Sequence, residues 1–237
     1  MIKSALKPAR KIHKYLGYLL ALQIFAWLLG GLVMSAIPLE MVHGKHLANR
    51  QLDNPFNALH YTASLDNLKQ QVAELTSIEY KHFLHTPIIK LNGNTTAYFD
   101  GKTGALFQAP SQTHIEQQAK AHYLGDAKIA HVTFLAEGPR EVQYRKNIWQ
   151  VVFADTVSTT LYLDSDSGQV ITVRSTIWRI FDFFWMLHIM DYDERDDFNN
   201  PLLISFSATS VLFCISGFVL LLQSPPWRRR RHQPKYN

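Results

Sequence analysis

Cysteine is almost missing from this chain of 237 residues: Cys214 is the only one. No disulfide can close within one molecule, and no zinc site built on thiolates is available. Also missing are the short patterns of nucleophilic and nucleotide chemistry. There is no Gly-x-Ser-x-Gly elbow, no His-Glu-x-x-His pair, no phosphate-binding glycine loop and no dinucleotide fingerprint. Nucleophilic catalysis is left without support, and redox chemistry would need a bound group or a partner. The net charge of +5 could suggest a nucleic-acid partner, but the middle of the chain lacks a basic stripe interleaved with aromatics. No nucleic-acid partner is expected.

Charge is absent from two long stretches, and that absence defines the layout. Leu16–Ile37 and Leu202–Gln223 are uncharged and strongly apolar. Each approaches the roughly 20 residues a helix needs to cross about 30 Å of hydrocarbon. Lys3, Lys7, Arg10, Lys11 and Lys14 precede the first run, and Arg228, Arg229, Arg230, Arg231 and Lys235 follow the second. Basic flanks stay on the cytoplasmic side. Both ends (1–15 and 224–237) are therefore expected in the cytoplasm and the middle outside, in a bacterial inner membrane with the domain in the periplasm. The first run is longer than a signal-peptide core and has only Ser35-Ala36 near a cleavage pattern, so it reads as an uncleaved anchor. Cys214 falls inside the second run and reads as a small apolar residue.

The middle, 38–176, carries an internal echo. Ala97-Tyr98-Phe99-Asp100-Gly101-Lys102-Thr103-Gly104-Ala105-Leu106 aligns with Leu161-Tyr162-Leu163-Asp164-Ser165-Asp166-Ser167-Gly168-Gln169-Val170. An apolar strand runs into Asp, a turn closes on Gly, and a strand resumes. Asp bonds its own turn backbone and Gly supplies positive φ, so these are hairpin tips rather than calcium loops. A helix capped by Ser64 is expected to carry Leu65, Leu68, Val72 and Leu75 along one face. Thr113-His114-Ile115-Glu116 reads as a capping box opening a helix to about Tyr123. Strands are expected at Ile78–His82, Pro87–Leu91, Thr95–Phe99 and Ala105–Phe107, then at Ala127–Leu135, Ile148–Ala154, Thr159–Leu163 and Gln169–Arg174. The fold class is α+β, a duplicated helix-plus-antiparallel-sheet unit (about 62–108 and 112–175) between two membrane helices. An aromatic segment and acidic loop, 177–201, lead into the second run.

Helix, strands and a closing strand–Asp–x–x–Ser/Thr–Gly–strand hairpin resemble the PepSY module. Arg10-Lys11-Ile12-His13-Lys14-Tyr15-Leu16-Gly17 and Trp185-Met186-Leu187-His188-Ile189-Met190-Asp191 resemble elements of the PepSY-associated transmembrane family. The resemblance spans nearly the whole chain. It differs in having two spans where larger members, some of them haem-holding, have four or more. It implies haem b, with His13 at the inner mouth of the first run and His188 on the outer side as axial ligands. On their own residues, both histidines also read as interface packing. Trp178, Phe181, Trp185 and His188 share a helical face with Phe184 beside it, either as ordinary packing or as the wall of a macrocycle pocket.

The membrane holds these two levels about 30 Å apart, so His13 and His188 cannot share one iron. His188 would pair with His43 or His46. His13 would pair with the His13 of a second chain, another subunit's ligand, or His232. Two such haems would form an electron relay completed by a homodimer or larger complex, with Gly30-Gly31 and Ser216-Gly217 as small-residue contact surfaces. The expected partners are the bilayer, a second copy and a redox protein, and the expected role is haem-mediated electron transfer supporting periplasmic iron- or flavin-linked reduction. The alternative is a non-enzymatic anchored module whose periplasmic domain holds a ligand or a protein, for example restraining a protease. The acidic run Asp191–Asp197 reads as a solvated connector or a cation-docking loop, and His82-x-x-His85 as surface.

Overall fold

The computed structural model describes residues 2–52 and 56–223. The basic tail 224–237, with Arg228–Arg231, His232 and Lys235, lies outside the described residues. The chain divides into a helical unit, residues 1–36 with 181–237, and a central unit, Ile37–Ile180.

In the helical unit, α1 (Ile2–Ala36) and α6 (Pro201–Gln223) are the two apolar runs. The segments Lys7–Ala36 and Pro201–Leu222 are each long and apolar enough to cross a membrane, which suggests a membrane protein. Their outward side chains agree: Leu22 is 81% exposed, Phe218 65% and Leu222 81%. Water would penalise so continuous an apolar surface, and lipid would not. α1 starts well before Leu16, and Pro8 sits inside it. The basic residues from Lys7 to Lys14 are thus part of the helix. The two helices run antiparallel. A Cβ on Gly17 would lie 3.3 Å from the Phe213 ring, and one on Gly217 would lie 3.1 Å from His13 Cε1. Glycine lets each backbone take the neighbour's ring.

α5 (Thr176–Ile189) begins in the central unit and ends in the helical one. Its last carbonyls have no intrahelical donor. Gln23 Nε2 donates to Leu187 O (2.8 Å), Trp27 Nε1 to His188 O (2.9 Å) and Asn200 Nδ2 to Ile189 O (3.0 Å). Gln23 and Trp27 are one turn apart on α1, so a single face of it caps this helix end. The turn after α5 is fixed by Asp191, which accepts the backbone N–H groups of Asp193, Asp196 and Asp197 at 3.2, 3.0 and 3.1 Å. Arg195 pairs with the buried carboxylate of Asp182.

The central unit holds two antiparallel meanders. The first is β1 (Ser77–Phe83), β2 (Thr86–Asn92) and β3 (Thr96–Asp100); the second is β4 (Ile129–Glu137), β5 (Lys146–Phe153), β6 (Thr160–Asp164) and β7 (Val170–Arg174). Before the first come the short turns α2 (Leu39–Val42) and α3 (Leu65–Lys69), and before the second comes α4 (Gln112–His122). Leu68, Val72, Ile89, Leu91 and Phe99 form one core. Ile115 and Ala119 of α4 close the other against Val151, Phe153, Leu161, Leu163 and Val173.

Both expected tips form in the same way. Asp100 Oδ1 accepts from Lys102 N and Thr103 N at 2.8 Å, and Asp164 Oδ1 accepts from Ser167 N at 2.9 Å and Ser167 Oγ at 2.7 Å. Gly104 (φ +73°) and Gly168 (φ +66°) take the left-handed position that glycine holds without strain. The registers correspond: Asp100 faces Ile88 and Asp164 faces Ile148. Phe99 bridges Leu106 as Leu163 pairs with Val170.

Three local expectations are corrected. The Ser64 helix ends at Lys69, yet Leu65, Val72 and Leu75 still pack with Leu68, because a turn brings them to the same core. The cap of α4 is Ser111, whose hydroxyl accepts from His114 N at 3.4 Å, so Thr113 lies inside the helix and no capping box forms. The expected strand Ala105–Phe107 is reduced to the isolated Phe99–Leu106 bridge.

Candidate functional site

α1 and α6 place His13 against two α6 residues. Its ring stacks on Phe213, with centroids 4.2 Å apart and planes 6° from parallel. His13 Nδ1 lies 2.8 Å from Ser216 Oγ, which also lies 2.7 Å from Phe213 O. In the tautomer with Nδ1 protonated, Ser216 Oγ accepts from the ring and Nε2 is the nitrogen open to a ligand. This is the arrangement by which a second contact orients a ligating histidine. His13 lines a groove of about 550 Å³ together with Arg10, Phe213, Gly217, Phe218 and Leu221. A groove of that size is within the range of cofactor sites, and it is mostly apolar.

The second candidate, His188, sits at the capped end of α5. Its carbonyl takes the Trp27 indole proton, and the two rings are 6.3 Å apart. Its Nδ1 is buried and has no hydrogen-bond partner. Such orphaned buried atoms are uncommon and call for an explanation such as a bound group. At 1.5 Å per residue, His13 and the Trp27 level of α1 are about 21 Å apart along the axis, so His13 and His188 are separate sites. The expected aromatic wall divides. Trp178 lies in the central unit under the Arg174 guanidinium, whereas Trp185 donates to Arg195 O and packs on Phe198.

His43 and His46 belong to the central unit, both exposed in the turn after α2. Burial, then the charges of Arg50, Arg174 and Lys45, keep the His43 pKa below the ordinary value. The small residues proposed as contact surfaces are largely used within the chain. Gly30 is covered by Phe184, Gly217 by His13, and Ser216 holds the imidazole, while a Cβ on Gly31 would meet nothing within 4 Å. The acidic loop spends Asp191 on its own backbone, which holds that carboxyl below its usual pKa, chiefly through the Asp197 N–H.

Sequence reasoning passed over Gln23 and a polar cleft in the central unit, and read Ser216 only as a small contact residue. Gln23 was legible as the one amide inside the first apolar run, whereas Ser216 looked like any small residue. The cleft, about 430 Å³, is lined by Arg50, Tyr80, Lys81, His82, Gln118 and His122 among others. Its residues come from four distant segments, so no local pattern announces it. Gln118 Oε1 accepts from Leu84 N at 3.1 Å, and Gln169 Nε2 donates to His82 O at 2.8 Å, tying the two meanders together.

Among the described residues no group of three or more His, Cys, Asp or Glu side chains could hold a metal ion. A haem needs only an axial imidazole and an apolar slot, and His13 with its groove fits both requirements. Arg10 adds a guanidinium suited to a carboxylate. Among the described residues of the helical unit, His13 and His188 are the histidines. No protein family, curated protein or solved structure was found to match the chain.

Proposed function

We propose that this chain is a two-span inner-membrane protein of PepSY-associated type, a subunit of haem-mediated electron transfer supporting periplasmic iron- or flavin-linked reduction. The observation that carries the reading is the 2.8 Å contact of His13 Nδ1 with Ser216 Oγ, which orients an imidazole that lines an apolar groove. His13 would hold haem b on the inner side and His188 on the outer, with Arg10 facing a haem carboxylate. Haem b, when bound, would supply reversible one-electron chemistry at each level. Ser216 holds His13 at Nδ1, so the ring would ligate through Nε2, and Phe213 keeps the ring plane. Trp27 and Gln23 hold the α5 end that carries His188. The duplicated hairpin with matching registers supports the PepSY part of the reading. A homodimer, or a redox partner in a larger complex, would supply the second ligand at each level.

Protein purified in detergent from a haem-replete host is expected to show a Soret band. Its intensity should fall in His13→Ala and in His188→Ala, and Ser216→Ala should shift the spectrum without abolishing it. Colourless protein that takes up no haem on reconstitution overturns the reading.

The polar cleft of the central unit favours a second reading, an anchored module that binds a small ligand or a protein segment in the periplasm. It predicts colourless protein and full ligand binding by the central unit alone.

A further inference from the structure

We infer that the polar cleft of the central unit takes the C-terminal end of an extended peptide, its carboxylate on Arg50 and its backbone beside Tyr80 on the free edge of β1. Four consecutive residues of β1, Glu79, Tyr80, Lys81 and His82, line this cleft of about 430 Å³. Side chains alternate between the two faces of a strand, so a cavity that touches all four runs along the strand's edge. Among the described residues β2 is the only strand paired with β1. The hydrogen bonds that leave the open edge show which residues point outward. Gln169 Nε2 donates to His82 O at 2.8 Å, and Leu84 N donates to Gln118 Oε1 at 3.1 Å. Outward groups recur at every second residue, which turns the N–H and C=O of Tyr80 to the cleft. A peptide added there answers main-chain groups with main-chain groups.

Charge and size choose the occupant. Glu79 is shared by Lys81 at 3.0 Å and Lys90 at 3.1 Å, so it cancels the charge of one lysine and not of both. Arg50 has no acidic partner among the described residues. The cleft therefore keeps a net positive charge, and a guanidinium suits a carboxylate, which it grips through two parallel N–H bonds. The segment that carries Arg50 is held on α4. Asn49 N donates to His122 O at 2.8 Å, and Asn49 O accepts from His122 Nδ1 at 2.5 Å. The volume falls within the range of small-ligand sites, about 300–1,000 Å³, which fits a chain end rather than a folded domain. A carboxylate joined to amides is the chemistry of a peptide terminus, whereas an inorganic anion would leave the Tyr80 edge unpaired. The inference rests on the second reading, in which the cleft is a binding site, and not on haem.

Full-length protein in detergent is titrated into dye-labelled tetrapeptide pools, randomised at the last three positions, and followed by fluorescence anisotropy. The pool with a free C-terminal carboxylate is expected to bind about tenfold more tightly than the same pool ending in an amide. N-methylation of the last two peptide nitrogens should weaken binding about tenfold, because it removes the donors that meet β1. Arg50→Gln should remove the preference for the carboxylate with the circular dichroism unchanged, and Arg50→Lys should restore part of it. Equal binding of the acid and amide pools, or a preference that survives Arg50→Gln, overturns this inference while leaving the cleft a binding site. An N-methylated pool that binds as tightly as its parent overturns the strand addition, and its displacement by inorganic phosphate assigns the cleft to small anions. No binding of any pool overturns this inference and the second reading together.

Discussion

At the scale of single residues, the histidines divide by what their second nitrogen does. His122 is 3% exposed. Its Nδ1–H donates to Asn49 O at 2.5 Å, and Nε2 accepts from the Gln118 amide at 3.0 Å. Both nitrogens are spent, so the ring is structural and neutral. Burial pulls its pKa below the ordinary value, against a smaller upward effect of the Asn49 carbonyl, and burial also lowers those of His82 and His43. An unfolded histidine takes up its proton near pH 6.5, the folded one only at lower pH. Between those two pH values the unfolded chain binds more protons. Stability is therefore fully present above about pH 6.5 and is lost as the pH falls below it. Urea midpoints are expected to drop between pH 7 and pH 5, with a shallower slope in His122→Gln. An equal slope in the variant would assign the dependence to other groups.

At the scale of elements, the two hairpin tips share a hydrogen-bonding scheme but not an environment. A Cβ on Gly104 would reach ordinary contact with Ala63, 3.4 Å away, whereas one on Gly168 would lie 2.1 Å from Phe83 Cε2. The second tip is pressed against the first meander, where Gln169 also donates to His82 O. Gly104→Ala should cost about 1 kcal/mol, from the left-handed backbone alone. Gly168→Ala adds overpacking against a buried ring and should cost more than about 3 kcal/mol. Thermal melts of the full-length protein decide this, and equal losses would mean that the tip does not seat on Phe83. The echo of the two tips thus encodes local geometry, while the docking of one of them is a property of the pair of meanders.

At the scale of the whole molecule, the division into a helical unit and a central unit follows the chemistry of the chain. The central unit has its own cores around Ile115 and Leu68. Among the described residues, polar contacts of the helical unit include the His13–Ser216 pair, the caps on α5, the Asp191 turn and the Arg195–Asp182 pair. If the basic ends stay in the cytoplasm, a periplasm-dependent reporter inserted after Gly104 is active and one fused at the C-terminus is not. The reverse pattern would invert the proposed topology and move His13 to the outer side.

Composition and local pattern by themselves determined the two apolar helices, the α+β class and both tips. Each of these depends on residues close in sequence: an uncharged run, an alternating strand, an Asp and a Gly a few positions apart. The length of α3 differs from the expected one for the same reason, since Val72 and Leu75 are apolar at helical spacing but reach the core through a turn. The candidate site was legible only as a list of histidines. Tertiary structure decided which imidazole nitrogen is held, because Ser216, which meets Nδ1, lies two hundred residues from His13. It also decided that Gly30 and Gly217 receive side chains from within the chain, and that Arg50 and Tyr80 line one cleft. Such outcomes depend on which surfaces meet, and the distances between those surfaces are not written in any local run of residues.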